Sequence, residues 1–445
     1  MQQDAITEGS ISKSVFTLAL PAMVSMVSIM LFEFIDLLWI GRLGPKAVAA
    51  LGAASFVLWA LKSLASCVAA GLNALIARNY GAKKFARVNM WASQGLMLTF
   101  LFSALISFIT YLAIINLFQL IGLEQNVAKM AHQYTLILTL GLVFIFALIS
   151  TENIFRAAGN TLIPMVIIII TLTLNAVLDP FLIYGWWKFP EMGMPGAALA
   201  SVISHIIGLV ILLTQLYRVR IHFQVDFRSF FENSHEILRI GTPIGLLGAV
   251  FSVIYIFLSK NIAYFGTVPM AAISICHRIE GIPFFIAFGF STAVAALVGQ
   301  NLGAGKPRRA EKSANRALAY SSAFLFMSSI IFILFGKSIL SLFIDSQAVI
   351  DEGYRYLFAI SIFEVFLASE ITLEGVFTGA GDTKPPFLIS IPLTLLRVPA
   401  AHFFSITLNY GVSAIWWVIS FTTFLKGLIF LVWYRRGKWK EKVVG

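Results

Sequence analysis

The stretch Phe32-Glu33-Phe34-Ile35-Asp36-Leu37-Leu38-Trp39-Ile40 closes an apolar run that begins near Phe16. A helical crossing of a bilayer takes about 20 such residues, and the run is long enough. It nonetheless carries two carboxylates three positions apart, a spacing that sets Glu33 and Asp36 on one helical face. An ionised side chain at membrane depth costs about 2.5 kcal/mol or more, so it reads first as a functional group.

The rest of the chain agrees with this first span. Of its 445 residues 59% are hydrophobic and 12% charged, with a mean hydropathy of +0.88. Soluble domains carry about twice that share of charge. Apolar segments of helical length recur throughout, and no alternating strand-length pattern of a membrane barrel is present. Twelve spans can be read, near 14–41, 47–77, 90–118, 131–158, 162–185, 195–217, 238–263, 269–299, 314–343, 354–379, 385–408 and 411–434.

A net charge of +11 could suggest nucleic acid, but its distribution points to membrane topology. Basic residues crowd alternate connections: Arg78, Lys83, Lys84 and Arg87; Arg218, Arg220, Arg228 and Arg239; Lys306, Arg308, Arg309 and Lys312; then Lys384 and the tail from Arg435 to Lys442. The intervening connections hold few, of which Arg42, Lys46 and Lys188 are the clear ones. By the positive-inside rule both termini are expected to be cytoplasmic, in an inner or plasma membrane. No nucleic-acid partner is expected, and the chain is expected to be a monomer. Met1–Gly9 is acidic and lacks a basic leader and cleavage site, so the first span is expected to remain in the mature chain. Cys67 and Cys276 lie in apolar runs and read as buried hydrophobes.

The chain is also an internal repeat. Pro21 and Pro243 open the first span of each half, and Gly44 and Gly266 end it. Asn79-Tyr80-Gly81-Ala82-Lys83 matches Asn301-Leu302-Gly303-Ala304-Gly305. Phe155-Arg156-Ala157-Ala158-Gly159-Asn160-Thr161 matches Phe377-Thr378-Gly379-Ala380-Gly381-Asp382-Thr383. All pairs share one offset of 222 residues. The expected fold is therefore an all-α polytopic membrane protein, with twelve transmembrane helices as two six-helix parallel repeats around a central cavity. The expected lobes are 1–217 and 238–445, joined by a cytoplasmic linker at 218–237 that reads as a linker or surface helix.

The repeat separates structural from functional residues. Shared Gly and Pro positions read as turns and helix ends. The acids are not shared: Asp36 maps to Leu258, Asp179 to Ala401 and Asn175 to Arg397. Counted at about 1.5 Å per residue, Asp36, Asp179 and Ser201 all fall in the outer third of the bilayer. Asn175 lies one turn below Asp179. This oxygen-only set suits a hard cation, such as Na⁺ at Asp36, Asn175 and Asp179, or a shared proton. No Lys or Arg stands at that depth in spans 1, 5 or 6, and two adjacent carboxylates without a cation titrate as a coupled pair.

Other intramembrane charges are less specific. Glu152 and Arg156 are four apart, in the order that favours an intrahelical pair, although Glu152 could instead face the cavity. Glu374 is the repeat counterpart of Glu152. Glu370 and Arg397 are expected at similar depth and could neutralise each other. Glu33, Met30, Glu152, Arg156, Glu370 and Glu374 are candidates to line the substrate cavity. Met23, Met26 and Met30 form an apolar stripe suited to packing or to a greasy ligand. Lys260, Arg278 and Glu280 have no assigned role. Gly303-Ala304-Gly305-Lys306 fails as a phosphate loop because Gln300 and Pro307 stand at its key positions. With no nucleotide site, no cofactor and no catalytic constellation, the chain reads as a carrier driven by H⁺, Na⁺ or both, not an enzyme. No channel-like pore motif is visible.

The run Ile35-Asp36-Leu37-Leu38-Trp39-Ile40-Gly41-Arg42-Leu43-Gly44 resembles the first-helix signature of multidrug and toxic compound extrusion (MATE) transporters. So do Arg156–Thr161, Asn175–Pro180, Gly196-Ala197-Ala198 and Gly299–Gly305. The resemblance implies a two-lobe exporter that exchanges H⁺ or Na⁺ for cationic or amphipathic compounds by rocker-switch alternating access. Within the family the chain looks like the DinF-like branch, whose N-lobe carries an acid in helix 1 and an Asn-to-Asp pair in helix 5, matched here by Asp36, Asn175 and Asp179, with Ser201 where Thr is common. The NorM-type branch uses acids in spans 7 and 10, where Phe251 and Ala368 stand here. Glu152 departs from the Asn of the DinF-like pattern and adds negative charge. The alternative is a flippase for lipid-linked oligosaccharides from the same superfamily, whose cavity should be rich in Lys and Arg.

The topology is open to a direct check. Single cysteines at Lys83 and Arg308 should label only from the cytoplasmic side, and one at Lys188 only from outside. Labelling of all three from one side would overturn the orientation.

Overall fold

The computed structural model describes residues 6–120, 123–219, 221–223 and 228–444. The first five residues of the acidic N-terminus, and Arg220 of the expected linker, lie outside these. Fourteen α-helices follow in chain order: α1 Ile11–Gly41, α2 Pro45–Leu64, α3 Ser66–Gly81, α4 Phe85–Leu120, α5 Gln125–Ala157, α6 Leu162–Tyr184, α7 Met194–Thr214, α8 Phe230–Ala263, α9 Thr267–Gly303, α10 Pro307–Ser341, α11 Gln347–Ser361, α12 Glu364–Ala380, α13 Lys384–His402 and α14 Ser413–Arg435. No strand occurs among the described residues.

Helices α2 and α3 count as one span, Pro45–Gly81. Eleven helices are then long and apolar enough to cross a membrane, and up to twelve if the pair α11 and α12, bent by 58° at residues 362–363, makes one span. The tenth span, expected as one helix over 354–379, is thus two helices with a sharp bend between them. The chain is a multi-pass membrane protein.

The repeated glycines act as the sequence requires. Gly44 (φ 106°) and Gly266 (φ 98°) close the first turn of each half, and Gly159 (φ 85°) and Gly381 (φ 75°) close the fourth. An L-residue rarely adopts such angles, and a glycine does so freely. Pro21 and Pro243 depart from expectation. They do not open helices but lie inside α1 and α8, about ten residues or more from the start.

Two compact units are present. One comprises Gln3–Met23 and Val250–Val444, the other Val24–Ala249. Both proline-bearing helices therefore change unit shortly after the proline. Part of the expected linker is tied to α4: Asn89 accepts from the His222 backbone N–H at 3.1 Å, and Asn233 Nδ2 donates to Gln94 at 2.6 Å. From Phe230 onward that segment is already α8.

Helix contacts rely on small residues, as expected where lipid gives no hydrophobic drive for helices to associate. Gly375 and Gly379, four apart on α12, lie against Ser291 and Ala295, four apart on α9. A Cβ on Gly375 would stand 2.6 Å from Ser291 Oγ, and one on Gly379 2.7 Å from Ala295 Cα. Because the obstacle at Gly379 is backbone, Gly379→Val should destabilise the fold by about 3 kcal/mol. The check is a lower melting temperature and loss of the monodisperse peak in detergent, with Gly52→Val, at a position open within 4 Å, unaffected.

Candidate functional site

Asp36 is 5% exposed on α1, and Asn175 and Asp179 on α6 are fully buried. The ends of α1 and α6 are tied together where the Tyr184 hydroxyl donates to the Trp39 carbonyl. That contact sets Asp36 and Asp179 at one level, within reach of each other. Helix α7 adds buried Ser201. Asn175 Nδ2 donates to Asp179 Oδ1 and to Ser201 Oγ, both at 3.3 Å. The four residues expected to form a cation site thus come from three helices to one place.

A fifth member, Tyr134 on α5, was not foreseen. Its hydroxyl donates to Asp36 Oδ2 at 3.4 Å. A tyrosine in an apolar span carries no sequence signal of its own. Its repeat counterpart is Tyr356, a match at the same 222 offset that could have drawn attention to it.

The site is short of donors. Asp36 Oδ1, Asp179 Oδ2 and Asn175 Oδ1 are buried oxygens with no hydrogen-bond partner in the structure. Each such acceptor carries a desolvation cost of about 1–3 kcal/mol until a donor or cation meets it. All three being oxygens, they fit a proton shared between carboxyls or a hard cation such as Na⁺.

Two cavities open beside this cluster, within the same compact unit. One is lined by Glu33, Asp36, Lys62, Tyr134, Ser201 and His205 among others. The second carries Glu33, Lys62, Glu152, Thr171 and His205 among apolar side chains. Glu33 and Glu152 are on the wall. Met30 is half-buried and lines neither, while Met23 and Met26 are buried in packing. Arg156 Nη2 stands 3.1 Å from Glu152, as an intrahelical pair. Lys62 and His205 had gone unnoticed.

The second half corrects one expectation. Glu370 does not meet Arg397; its Oε1 is 2.6 Å from Nζ of Lys426 on α14. Arg397 instead donates to Thr422 at 2.8 Å and Thr423 at 2.9 Å. The second half also holds buried acids. Tyr356, the counterpart of Tyr134, donates to Glu280 at 2.7 Å, and Glu364 is 2% exposed. The positions matching Asp36 and Asp179, Leu258 and Ala401, lie in an apolar cluster. Lys260 is exposed with its ammonium 5.5 Å from the Phe257 ring, and Arg278 is exposed.

The family model described as MatE matches residues 21–181 and again 243–403. The chain belongs to the MatE family. The two matches begin 222 residues apart, the offset of the internal repeat. A probable multidrug resistance protein NorM from Thermotoga maritima is 28% identical over 440 residues, covering 98% of this chain and 94% of that protein. An FAD transporter from Shewanella oneidensis is 25% identical over 344 residues, 77% of this chain and 76% of that one. Among solved structures, a MOP superfamily transporter from Pyrococcus furiosus superposes with a TM-score of 0.90 at 23% identity, over 100% of this chain and 99% of the other. It shares the fold. As a MatE protein the chain is a membrane transporter and not an enzyme.

The Glu370–Lys426 pair yields a test. Glu370→Leu strands a buried ammonium and should cost about 3–5 kcal/mol, seen as a fall in melting temperature. Adding Lys426→Leu should restore most of it. Failure of the double variant to recover would mean that the pair does more than neutralise charge.

Proposed function

We propose that the protein is a secondary active antiporter that exports cationic or amphipathic organic compounds in exchange for H⁺ or Na⁺ by alternating access. It would act as a monomer in the cell membrane, with both termini cytoplasmic and 1–217 and 238–445 as its working lobes. The observation that supports this best is the convergence of unpartnered buried oxygens from Asp36, Asn175 and Asp179. A coupling ion entering there supplies the missing positive charge and stabilises whichever conformation gathers the three oxygens. A carrier couples two fluxes only when ion and cargo prefer different states. The adjoining cavity, with Glu33, Asp36 and Glu152 on or near its wall, suits cargo bearing positive charge.

The second half supports the same assignment by contrast. At the position of Asn175 stands Arg397, whose guanidinium reaches Thr423, the counterpart of Ser201. A tethered cation there does the work that a mobile ion would do in the first half. The Asp36, Asn175 and Asp179 pattern favours the DinF-like branch. Names among the relatives, multidrug resistance proteins and an FAD transporter, agree with amphipathic organic cargo. A lipid-linked oligosaccharide is the poorer fit, since the walls carry more carboxylates than ammonium groups.

Asp36→Asn keeps the shape of the side chain and removes its charge. In proteoliposomes under separate imposed pH and sodium gradients it should lose at least about tenfold of gradient-driven efflux, a change of roughly 1.4 kcal/mol in coupling. Undiminished efflux would sink the proposal. The gradient that drives the wild type identifies the ion.

A further inference from the structure

Lys62 sits on α2, within a crossing helix pair, and its side chain is half-buried on the wall of both cavities. An ammonium at membrane depth is costly unless it is paired or lines a watery space. Lys62 forms no ion pair among the described residues. Arg156 on the same side is already committed to Glu152 at 3.1 Å. Glu33 lines the same two cavities, and it too forms no ion pair among the described residues. An unpaired cation and an unpaired anion therefore share one open space without neutralising each other.

The repeat applies to Lys62 the comparison it applies to Asp36. Its counterpart at the 222 offset is Phe284, and that of Glu33 is Tyr255. Neither charge is required by the helix scaffold, because the second half builds the equivalent helices without them. A purely cationic cargo would gain from the acids and be repelled by Lys62. A cargo carrying both signs would satisfy both.

We propose that Lys62 is a substrate-binding residue that recognises an anionic group, carboxylate or phosphate, so that the preferred cargo is an amphipathic zwitterion whose cationic part meets Glu33. This rests on the reading that these cavities carry the transported compound. Lys62 selects among cargoes; it is not one of the oxygen groups assigned to the coupling ion, although it shares a cavity wall with Asp36 and its charge acts on that acid. Its surroundings fit that role. The remaining walls offer Phe32, Ile149 and Ile168 to an aromatic or aliphatic body.

The test uses a matched pair of fluorescent probes, rhodamine B, which has a free carboxylate beside its cationic ring system, and its ethyl ester, which lacks that charge. Binding is measured by fluorescence anisotropy on purified protein in nanodiscs without any gradient. Wild type should bind the acid about fivefold more tightly than the ester, the upper end of what one partly hydrated charge contact supplies. Lys62→Gln should bring the ratio to about one, and Lys62→Arg should keep most of the preference. A wild type that binds both probes equally, or neither, overturns the proposal, as does a preference that survives Lys62→Gln. Loss of affinity for both probes in parallel would make Lys62 a structural residue and would also overturn it. Failure of the antiport reading appears elsewhere, as absent gradient-driven flux with probe binding intact.

Discussion

The low polarity of the membrane interior is the constraint on which the rest depends. A carboxylate such as Asp36 can persist there only if something offsets its lost hydration. The structure meets this need incompletely. Tyr134 donates one hydrogen bond, and Asn175 serves Asp179, yet one oxygen on each acid stays without a partner. An apolar residue at each place would stabilise the helix bundle more simply, as Leu258 and Ala401 do in the other half. The shortfall is what gives an incoming cation something to bind.

The two halves solve one packing problem with different charge arrangements. Tyr134 and Tyr356 occupy matching positions, but the acid that each hydroxyl meets comes from different helices, α1 in one case and α9 in the other. Asn175 and Arg397 also match, and the second brings its own positive charge. Duplication preserved glycine at the Gly44/Gly266 and Gly159/Gly381 turns, which a side chain would strain, while at a third turn Lys83 takes the positive φ of its counterpart Gly305. Polar groups were free to move, because a hydrogen bond needs only that two side chains meet in space.

That difference explains which parts of the site were legible. Asp36, Asn175, Asp179 and Ser201 could be read because depth follows from counting along helices and charge in an apolar span stands out. Lys62 lies in the second span, and the sequence of that span leaves open which neighbours its charged face meets. Lys426 was missed because Arg397 looked an equally suitable partner for Glu370 at similar depth. Glu280 and Glu364 are unshared in the same way, their counterparts being Leu58 and Leu142, so the comparison of halves does not by itself favour the first-half acids over them.

By itself the sequence determined the all-helical membrane class, the duplication at 222 residues, the left-handed turns at Gly44, Gly159, Gly266 and Gly381, and the acids worth explaining. These follow from hydropathy and backbone sterics, which are local. The tertiary structure alone decided that Tyr134 caps Asp36, that Glu370 pairs with Lys426, that the chain bends between α11 and α12, and that Lys62 and Glu33 line the same cavities. Those outcomes depend on which helix faces touch, and periodicity along one helix leaves its rotation against its neighbours undetermined.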